Sequence, residues 1–301
     1  MKTQADPASH PFPPDDLILR PDGSVYHLGL HPDELADHVI TVGDPERVDR
    51  ISRYFDRIQV KKQLREFRTH TGEIGGKRMT VISTGMGSGN VDIVLNELDA
   101  LKNIDLVNRV PLKDFRALNL IRLGTAGGLQ DDLLPGSMVV TDLAIGLDNL
   151  LSFYGGTEAS DKVEVKTRLM EDLELPVVPY VVQADRSWRQ WAITIGCRPG
   201  MTVTNAGFYG PQGRALRLRP SHPDLLDRLS KFTYNQKRVL NLEMETAAIL
   251  ALSSMLGHRA CSLSVILANR PLGQFSDHPE KDIDHFIEVV MTNLIDEPWP
   301  N

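Results

Sequence analysis

Three apolar runs each end in a glycine-containing turn, and this recurrence limits the folds open to the chain more than any other feature. Val39, Ile40 and Val42 form a short β-like run that leads into Gly43-Asp44-Pro45-Glu46-Arg47. Met79 to Thr84 leads into Gly85-Met86-Gly87-Ser88-Gly89-Asn90, and Leu118 to Leu123 into Gly124-Thr125-Ala126-Gly127-Gly128. Helical spacing follows the first two turns, over Val48 to Phe55 and in the stripe Val91, Val94, Leu95, Leu98 and Leu101. Strands are also expected over Leu64 to Arg68, Ser137 to Asp142, Val177 to Val182, Met201 to Thr204 and Ala260 to Ala268. Ile283, Phe286, Ile287, Val290 and Leu294 mark a closing amphipathic helix. Strands alternating with helices, with no repeat or linker, predict an α/β single domain whose central mixed, mostly parallel sheet is flanked by helices. At 301 residues and 41% hydrophobic, the chain has the material for such a core.

The first 24 residues differ. Pro7, Pro11, Pro13, Pro14 and Pro21 interrupt a polar stretch without apolar periodicity, which reads as an amino-terminal tail or arm (1–24) before a catalytic domain over 25–301. No charged-then-apolar leader and no run of about 18 apolar residues occurs, so a soluble, cytoplasmic protein is expected. Cys197 and Cys261 lie far apart without metal-ligand spacing and read as reduced packing residues. His31 with His38, and His278 with His285, lack the i, i+4 spacing of a helical metal site, so no metal is expected there.

The formal net charge of -7 argues against general attraction to nucleic acid or to an anionic membrane. An anionic ligand would need particular arginines. Gly43 to Arg47 can serve either as plain turn punctuation or as a helix N-terminus that offers N–H groups, the dipole and a guanidinium to an anion. Arg122 lies in an otherwise apolar strand, where a charge needs a partner. That partner is either a buried acid or an anion shared with the Thr125 hydroxyl at the strand's carboxyl end, where open α/β sheets bind ligands.

Asn241-Leu242-Glu243-Met244-Glu245-Thr246-Ala247-Ala248 carries two acids where an apolar helix begins. Asn241 is a candidate N-cap, with Glu243 and Glu245 in a first turn favoured by the dipole. The alternative is a carboxylate that faces a pocket and accepts hydrogen bonds from sugar hydroxyls. Spacing alone leaves both open.

Taken in order, these segments resemble the nucleoside phosphorylase family, most closely its uridine phosphorylases, from about Val25 to Leu294. Tyr26-His27-Leu28-Gly29-Leu30 looks like the family's amino-terminal segment and Gly43 to Arg47 like its first phosphate loop. Arg65-Glu66-Phe67 resembles the segment whose arginine reaches a neighbouring subunit's site. Ser83 to Gly87 and Arg122 to Thr125 resemble its next two loops, Asn241 to Glu245 its ribose signature, and Asn269-Arg270 the loop near the base. Gln212-Gly213-Arg214 is similar to the Gln-x-Arg pair that holds uracil in uridine phosphorylases. A glutamine amide suits an imide N–H beside a carbonyl, and an arginine can donate to the other carbonyl. Purine enzymes of this fold tend to carry an aspartate where this chain has Asn269.

The resemblance implies reversible phosphorolysis of uridine to uracil and ribose 1-phosphate in pyrimidine salvage. Phosphate, a co-substrate, would be held by Gly43, Arg47, Arg122 and Thr125, with Arg65 from a partner subunit. Ribose would meet Glu243, Met244 and Glu245, with His27 from the partner. The base would lie against Phe208, Gln212, Arg214, Asn269 and Arg270, and catalysis would rest on Glu245, Arg214, Gln212 and Arg122. It implies no organic cofactor, and a homo-oligomer, dimer or hexamer, with shared sites. A monovalent cation, K+, would sit at a subunit interface near Glu66, Met86 and Asn90. That site is the point of departure, because Gly87 to Asn90 replace the family's usual Gly-Gly-Pro-Ser, while Lys102 to Ala117 is longer than the usual connection. A purine phosphorylase, a nucleosidase on the same fold and a non-catalytic nucleoside sensor are the alternatives.

Overall fold

The apolar runs form strands because their neighbours cover them on both faces. A computed structural model describes residues 10–155 and 160–296. It begins with β1 (His38–Val42), α1 (Pro45–Ser52), β2 (Arg57–Leu64), β3 (Phe67–Ile74), β4 (Lys77–Ser83) and α2 (Ser88–Asn103). A small hairpin, β5 (Ile104–Asp105) with β6 (Val110–Pro111), precedes β7 (Asn119–Gly128) and β8 (Met138–Leu147). Next come α3 (Ser160–Leu173), β9 (Tyr180–Gln183), α4 (Arg186–Thr194), β10 (Arg198–Asn205), α5 (Leu225–Lys231), β11 (Thr233–Tyr234) and β12 (Lys237–Glu243). The chain closes with α6 (Thr246–Met255), β13 (Arg259–Asn269), β14 (Gln274–Phe275) and α7 (Pro279–Asp296).

The side chains of β1 and β7 alternate between two cores, as a period of two requires. Val39, Leu118 and Leu120 pack with Val91, Leu95 and Leu98 of α2 and Ala248 and Leu252 of α6. Ile40, Val42, Ile121 and Leu123 pack instead with Val48 of α1, Trp188 and Trp191 of α4, and Phe286, Ile287 and Val290 of α7. Helices therefore cover both faces. Each fully buried leucine or phenylalanine contributes about 1.5–3 kcal/mol through burial, so the layers reinforce one another.

The sheet is mixed, as expected, but it is not mostly parallel. It has 12 strands in the order β11-β12-β10-β8-β13-β7-β1-β4-β3-β2, with β14 on β13 and β9 on β8. β1 pairs in parallel with β4 and β7, β10 with β8 and β12, and β13 with β7. The remaining pairings are antiparallel. Because β12 also pairs β7, the strands β7-β13-β8-β10-β12 close into a ring. The local pattern specifies strands and not partners, so ring closure is invisible in it.

Two local expectations are overturned. Leu64 to Arg68 is no strand: Arg65 and Glu66 form the tight turn of the β2–β3 hairpin, with Arg65 at φ 56. Asn241 is no N-cap either, since it lies inside β12, buried and paired with Thr202 of β10. Its apolar neighbours alternate in a strand that ends at Glu243, and α6 starts only at Thr246.

Residues 1–9 of the amino-terminal tail lie outside the described residues. From there on, the arm docks. The Phe12 N–H donates to the Arg109 carbonyl at 2.7 Å, Arg109 donates back to the Leu17 carbonyl, and Leu17 and Val25 enter the first core. The long connection after α2 thus supplies, through the β5–β6 hairpin, the surface on which the arm rests.

Candidate active site

Six strands, β1, β4, β7 and β13 in one direction and β10 and β12 in the other across the ring, contribute their carboxyl-terminal residues and following loops to one cavity of about 980 Å³. Gly43, Asp44 and Arg47 follow β1, and Gly85 and Met86 follow β4. Arg122, Thr125 and Gly127 come from β7, and Phe208, Gln212 and Arg214 from the loop after β10. Glu243, Met244 and Glu245 come from the end of β12, and Asn269 and Arg270 from the end of β13. This is the edge at which α/β sheets bind ligands.

At its centre Arg122 is 4% exposed, and its Nη2 lies 2.5 Å from Glu245 Oε2 and 3.1 Å from Glu243 Oε2. Nη1 reaches Ser264 Oγ at 3.4 Å. Burial opposes the charge, but the two carboxylates outweigh it and push the Arg122 pKa up. The buried-acid reading is therefore realised, and inside the cavity, so the two readings of Arg122 are not exclusive. Gly124 makes this possible: a Cβ there would lie 1.7 Å from Arg122 Nη1, so only glycine leaves room for the guanidinium two residues back on the same strand face.

Arg47 is differently placed. Asp44 caps α1 by accepting the Glu46 N–H at 2.9 Å, Pro45 occupies the first turn, and Arg47 turns inward, 9% exposed. Among the described residues its guanidinium makes one hydrogen bond, to the Leu123 carbonyl at 3.2 Å. Among the described residues no carboxylate lies within ion-pair distance of it. Burial, with Arg122 as a like-charged neighbour, pushes it down to about 10. A buried guanidinium left with one carbonyl is costly unless an anion completes it.

The two glutamates have separate tasks. Glu243 Oε1 accepts the Thr204 hydroxyl at 2.5 Å, while Oε2 accepts the N–H groups of Glu245 and Thr246, each at 2.8 Å, and Arg122. Four donors thus converge on one carboxylate, three of them on Oε2. Glu243 therefore caps α6, and it also lines the cavity. Among the described residues Glu245 accepts the Gly87 N–H, at 2.7 Å, and Arg122 alone, which leaves acceptor positions free on a side chain that lines the cavity. Burial raises its pKa, Glu243 adds to the rise, and Arg122 opposes it.

On the loop after β10, Arg214 Nη1 donates to Gln212 Oε1 and to the Phe208 carbonyl, both at 2.7 Å, and its guanidinium lies 3.6 Å from the Phe208 ring centroid. Gln212 is buried, and Arg214 is pushed down to about 10 by burial and by Arg270. Arg270 also lines the cavity, and its buried Nη1 has no hydrogen-bond partner among the described residues. Asn269 lines the cavity with its amide held by backbone groups: Nδ2 donates to the carbonyls of Gln130 at 3.0 Å and Leu133 at 3.1 Å, and Oδ1 accepts the Leu272 N–H at 2.9 Å. It anchors the loop that carries Arg270.

His27 and Arg65 stand outside this cavity. His27 Nδ1 lies 2.6 Å from Glu97 Oε1, and Glu97 also accepts the N–H groups of His27 and Leu28. Arg65 lies 5.9 Å from the centroid of the Tyr26 ring. Glu66, Met86 and Asn90 line one edge of the cavity, and Asn90 Nδ2 donates to the Met86 carbonyl at 3.5 Å. Thr204, Ser264 and the Gly87 N–H were not legible as site groups. Of the three, only Gly87 lies in a glycine-rich motif, Gly85 to Asn90.

A family model described as the phosphorylase superfamily matches residues 37–295. The chain is 29% identical over 267 residues to the uridine phosphorylase of Thermococcus kodakarensis, covering 87% of this chain and 83% of that protein. It is 32% identical over 206 residues to a DeoD-type purine nucleoside phosphorylase of Clostridium perfringens, covering 61% of this chain and 81% of that one. A Trypanosoma brucei nucleoside phosphorylase, whose crystal structure is described as showing uridine phosphorylase activity, superposes with a TM-score of 0.86 at 32% identity, covering 94% of this chain and all of the other. The matched span holds every strand and helix that lines the cavity, and the chain accordingly belongs to the phosphorylase superfamily.

Proposed function

We propose that the chain is a uridine phosphorylase, which cleaves uridine with inorganic phosphate to uracil and ribose 1-phosphate. The observation that carries this reading is the pair of buried arginines, Arg122 matched to Glu245 and Arg47 with no carboxylate partner among the described residues, facing the same cavity as the Gln212–Arg214 pair. Phosphate would complete Arg47, shared with Arg122, Thr125 and the N–H groups at Gly43 and the α1 N-terminus. Glu245 and Met244 would hold the ribose, the carboxylate accepting from its hydroxyls while positive charge grows on the ring. As the glycosidic bond breaks, electrons pass to the uracil, and Arg214 with Gln212 would stabilise the anion where it forms. Phosphate attacks the carbon that the base leaves.

A homo-oligomer accounts for His27 and Arg65. Both lie outside their own chain's cavity, with Glu97 and Tyr26 holding them, as groups destined for a neighbour's site would. The chemistry requires no organic cofactor. For a potassium ion at the interface, the Glu66 carboxylate and the Met86 carbonyl are the hard oxygen donors along the cavity edge. No described helix is long and apolar enough to cross a membrane, and a cytoplasmic location is part of this proposal.

The similarity to a purine nucleoside phosphorylase keeps a purine substrate as the second reading. Absorbance assays with uridine, thymidine, inosine and adenosine, each with and without phosphate, separate the two. Phosphate-dependent loss of uridine with far slower inosine turnover is expected. Inosine turned over equally well refutes the base assignment, and base release without phosphate indicates a hydrolase.

A further inference from the structure

Glu245 and Arg122 are placed by a group in which no sequence motif showed interest. Thr204 of β10 is fully buried and pairs with Glu243 in the parallel β10–β12 ladder. Its hydroxyl has two neighbours. The Ala247 N–H, 2.8 Å away, can only donate, so Thr204 Oγ1 accepts there. Its single proton is therefore directed to Glu243 Oε1 at 2.5 Å. Glu243 then receives the N–H groups of Glu245 and Thr246 and the Arg122 guanidinium. Thr204 and Glu243 together satisfy the first three backbone donors at the α6 entrance, where no side chain of α6's own N-cap does so.

We propose that Thr204 is a positioning residue of this site: by orienting Glu243 it fixes both the backbone of Glu245 and the guanidinium of Arg122. The inference rests on the phosphorylase reading for its kinetic consequences but not for its binding consequence. Without the hydroxyl, Glu243 Oε1 and the Ala247 N–H are left without partners in a buried place. Glu243 rotates to recover a donor and carries Arg122 with it. Thr202, one pleat earlier on the same strand, makes the corresponding contact with Asn241 Oδ1 at 2.9 Å, away from the cavity-lining residues, and serves as the internal control.

The test compares wild type with Thr204→Val, Thr204→Ala, Thr204→Ser and Thr202→Val, each checked for folding by thermal melting. In whichever of Thr204→Val and Thr204→Ala folds, uridine turnover falls roughly tenfold or more, the effect of stranding a buried polar pair. The preference for uridine over 2′-deoxyuridine shrinks as well, because Glu245 no longer meets both ribose hydroxyls. Thr204→Ser restores both, and Thr202→Val leaves the preference unchanged. Calorimetry with inorganic phosphate alone gives a parallel readout through Arg122, with affinity lost in Thr204→Ala and kept in Thr204→Ser. A folded Thr204→Ala or Thr204→Val with wild-type preference and wild-type phosphate affinity overturns the proposal, as does failure of Thr204→Ser to restore them. If wild type binds phosphate but does not cleave uridine, the functional reading fails alone and the calorimetric comparison decides for Thr204. If wild type does neither, both fail.

Discussion

Replacing Arg47 with methionine should make the protein more stable and nearly inactive. The Arg47 guanidinium is buried, has one hydrogen bond among the described residues, to the Leu123 carbonyl, and stands beside Arg122. A fall from the ordinary 12.5 to about 10 means that keeping it charged at neutral pH costs the fold roughly 3 kcal/mol, at about 1.4 kcal/mol per tenfold change. Since the folded value is the lower one, that cost is present in full below about pH 10 and is relieved only above it. Methionine fills much of the same space, and losing the carbonyl contact takes back about 1 kcal/mol. The net expectation is a gain of roughly 1–2 kcal/mol, read as a melting temperature higher by about 2–4 °C per kcal/mol in phosphate-free buffer. Phosphate should reverse the order. Wild type gains about 2.7 kcal/mol at a hundredfold excess over Kd, and Arg47→Met gains almost none. Turnover of uridine should drop about 10²- to 10³-fold. A variant that is less stable without phosphate, and is still stabilised by it, would refute the claim that Arg47 is an unsatisfied charge waiting for an anion.

Three further outcomes follow from the same geometry. Because burial raises the Glu245 pKa, the acidic limb of kcat/KM should lie above the ordinary carboxylate range, with activity falling as pH drops through it; a limb at about 4 would put Glu245 in a solvated setting. Asn269→Asp should cost roughly 1–3 kcal/mol, since a carboxylate would face the Gln130 and Leu133 carbonyls, and should not create purine turnover; a stable variant active on inosine would return Asn269 to base recognition. Arg214→Ala should lower uridine turnover by about 10²-fold or more with little change in phosphate binding measured by calorimetry, whereas an equal loss of both would mean that the arginine supports the loop as a whole.

Some of this architecture is written locally. The glycines after β1 and β4, the arginine in an apolar β7 and the paired acids near α6 are features of neighbours in sequence, so these turns, strands and candidate charges could be read from the chain, whereas Gly124 to Gly128 continue β7 where the run of glycines suggested its end. Resemblance then supplied the list of groups that meet at the cavity. What local pattern cannot contain is distance between strands far apart in sequence. Asn241-Leu242-Glu243 suits a helix start as well as a strand end, and only its pairing with β10 and β7 decides for the strand. The same pairing brings Thr204 against Glu243 and so divides two glutamates of one motif into a cap and a carboxylate with acceptor positions to spare. The Asn269 side chain is held by the Gln130 and Leu133 carbonyls of the loop after β7 and by the Leu272 N–H of its own loop, partners that its sequence neighbourhood does not announce. Residue identity sets which hydrogen bonds a side chain can make; the tertiary fold decides which of them are already used, because a buried polar group takes the nearest partner that excludes water.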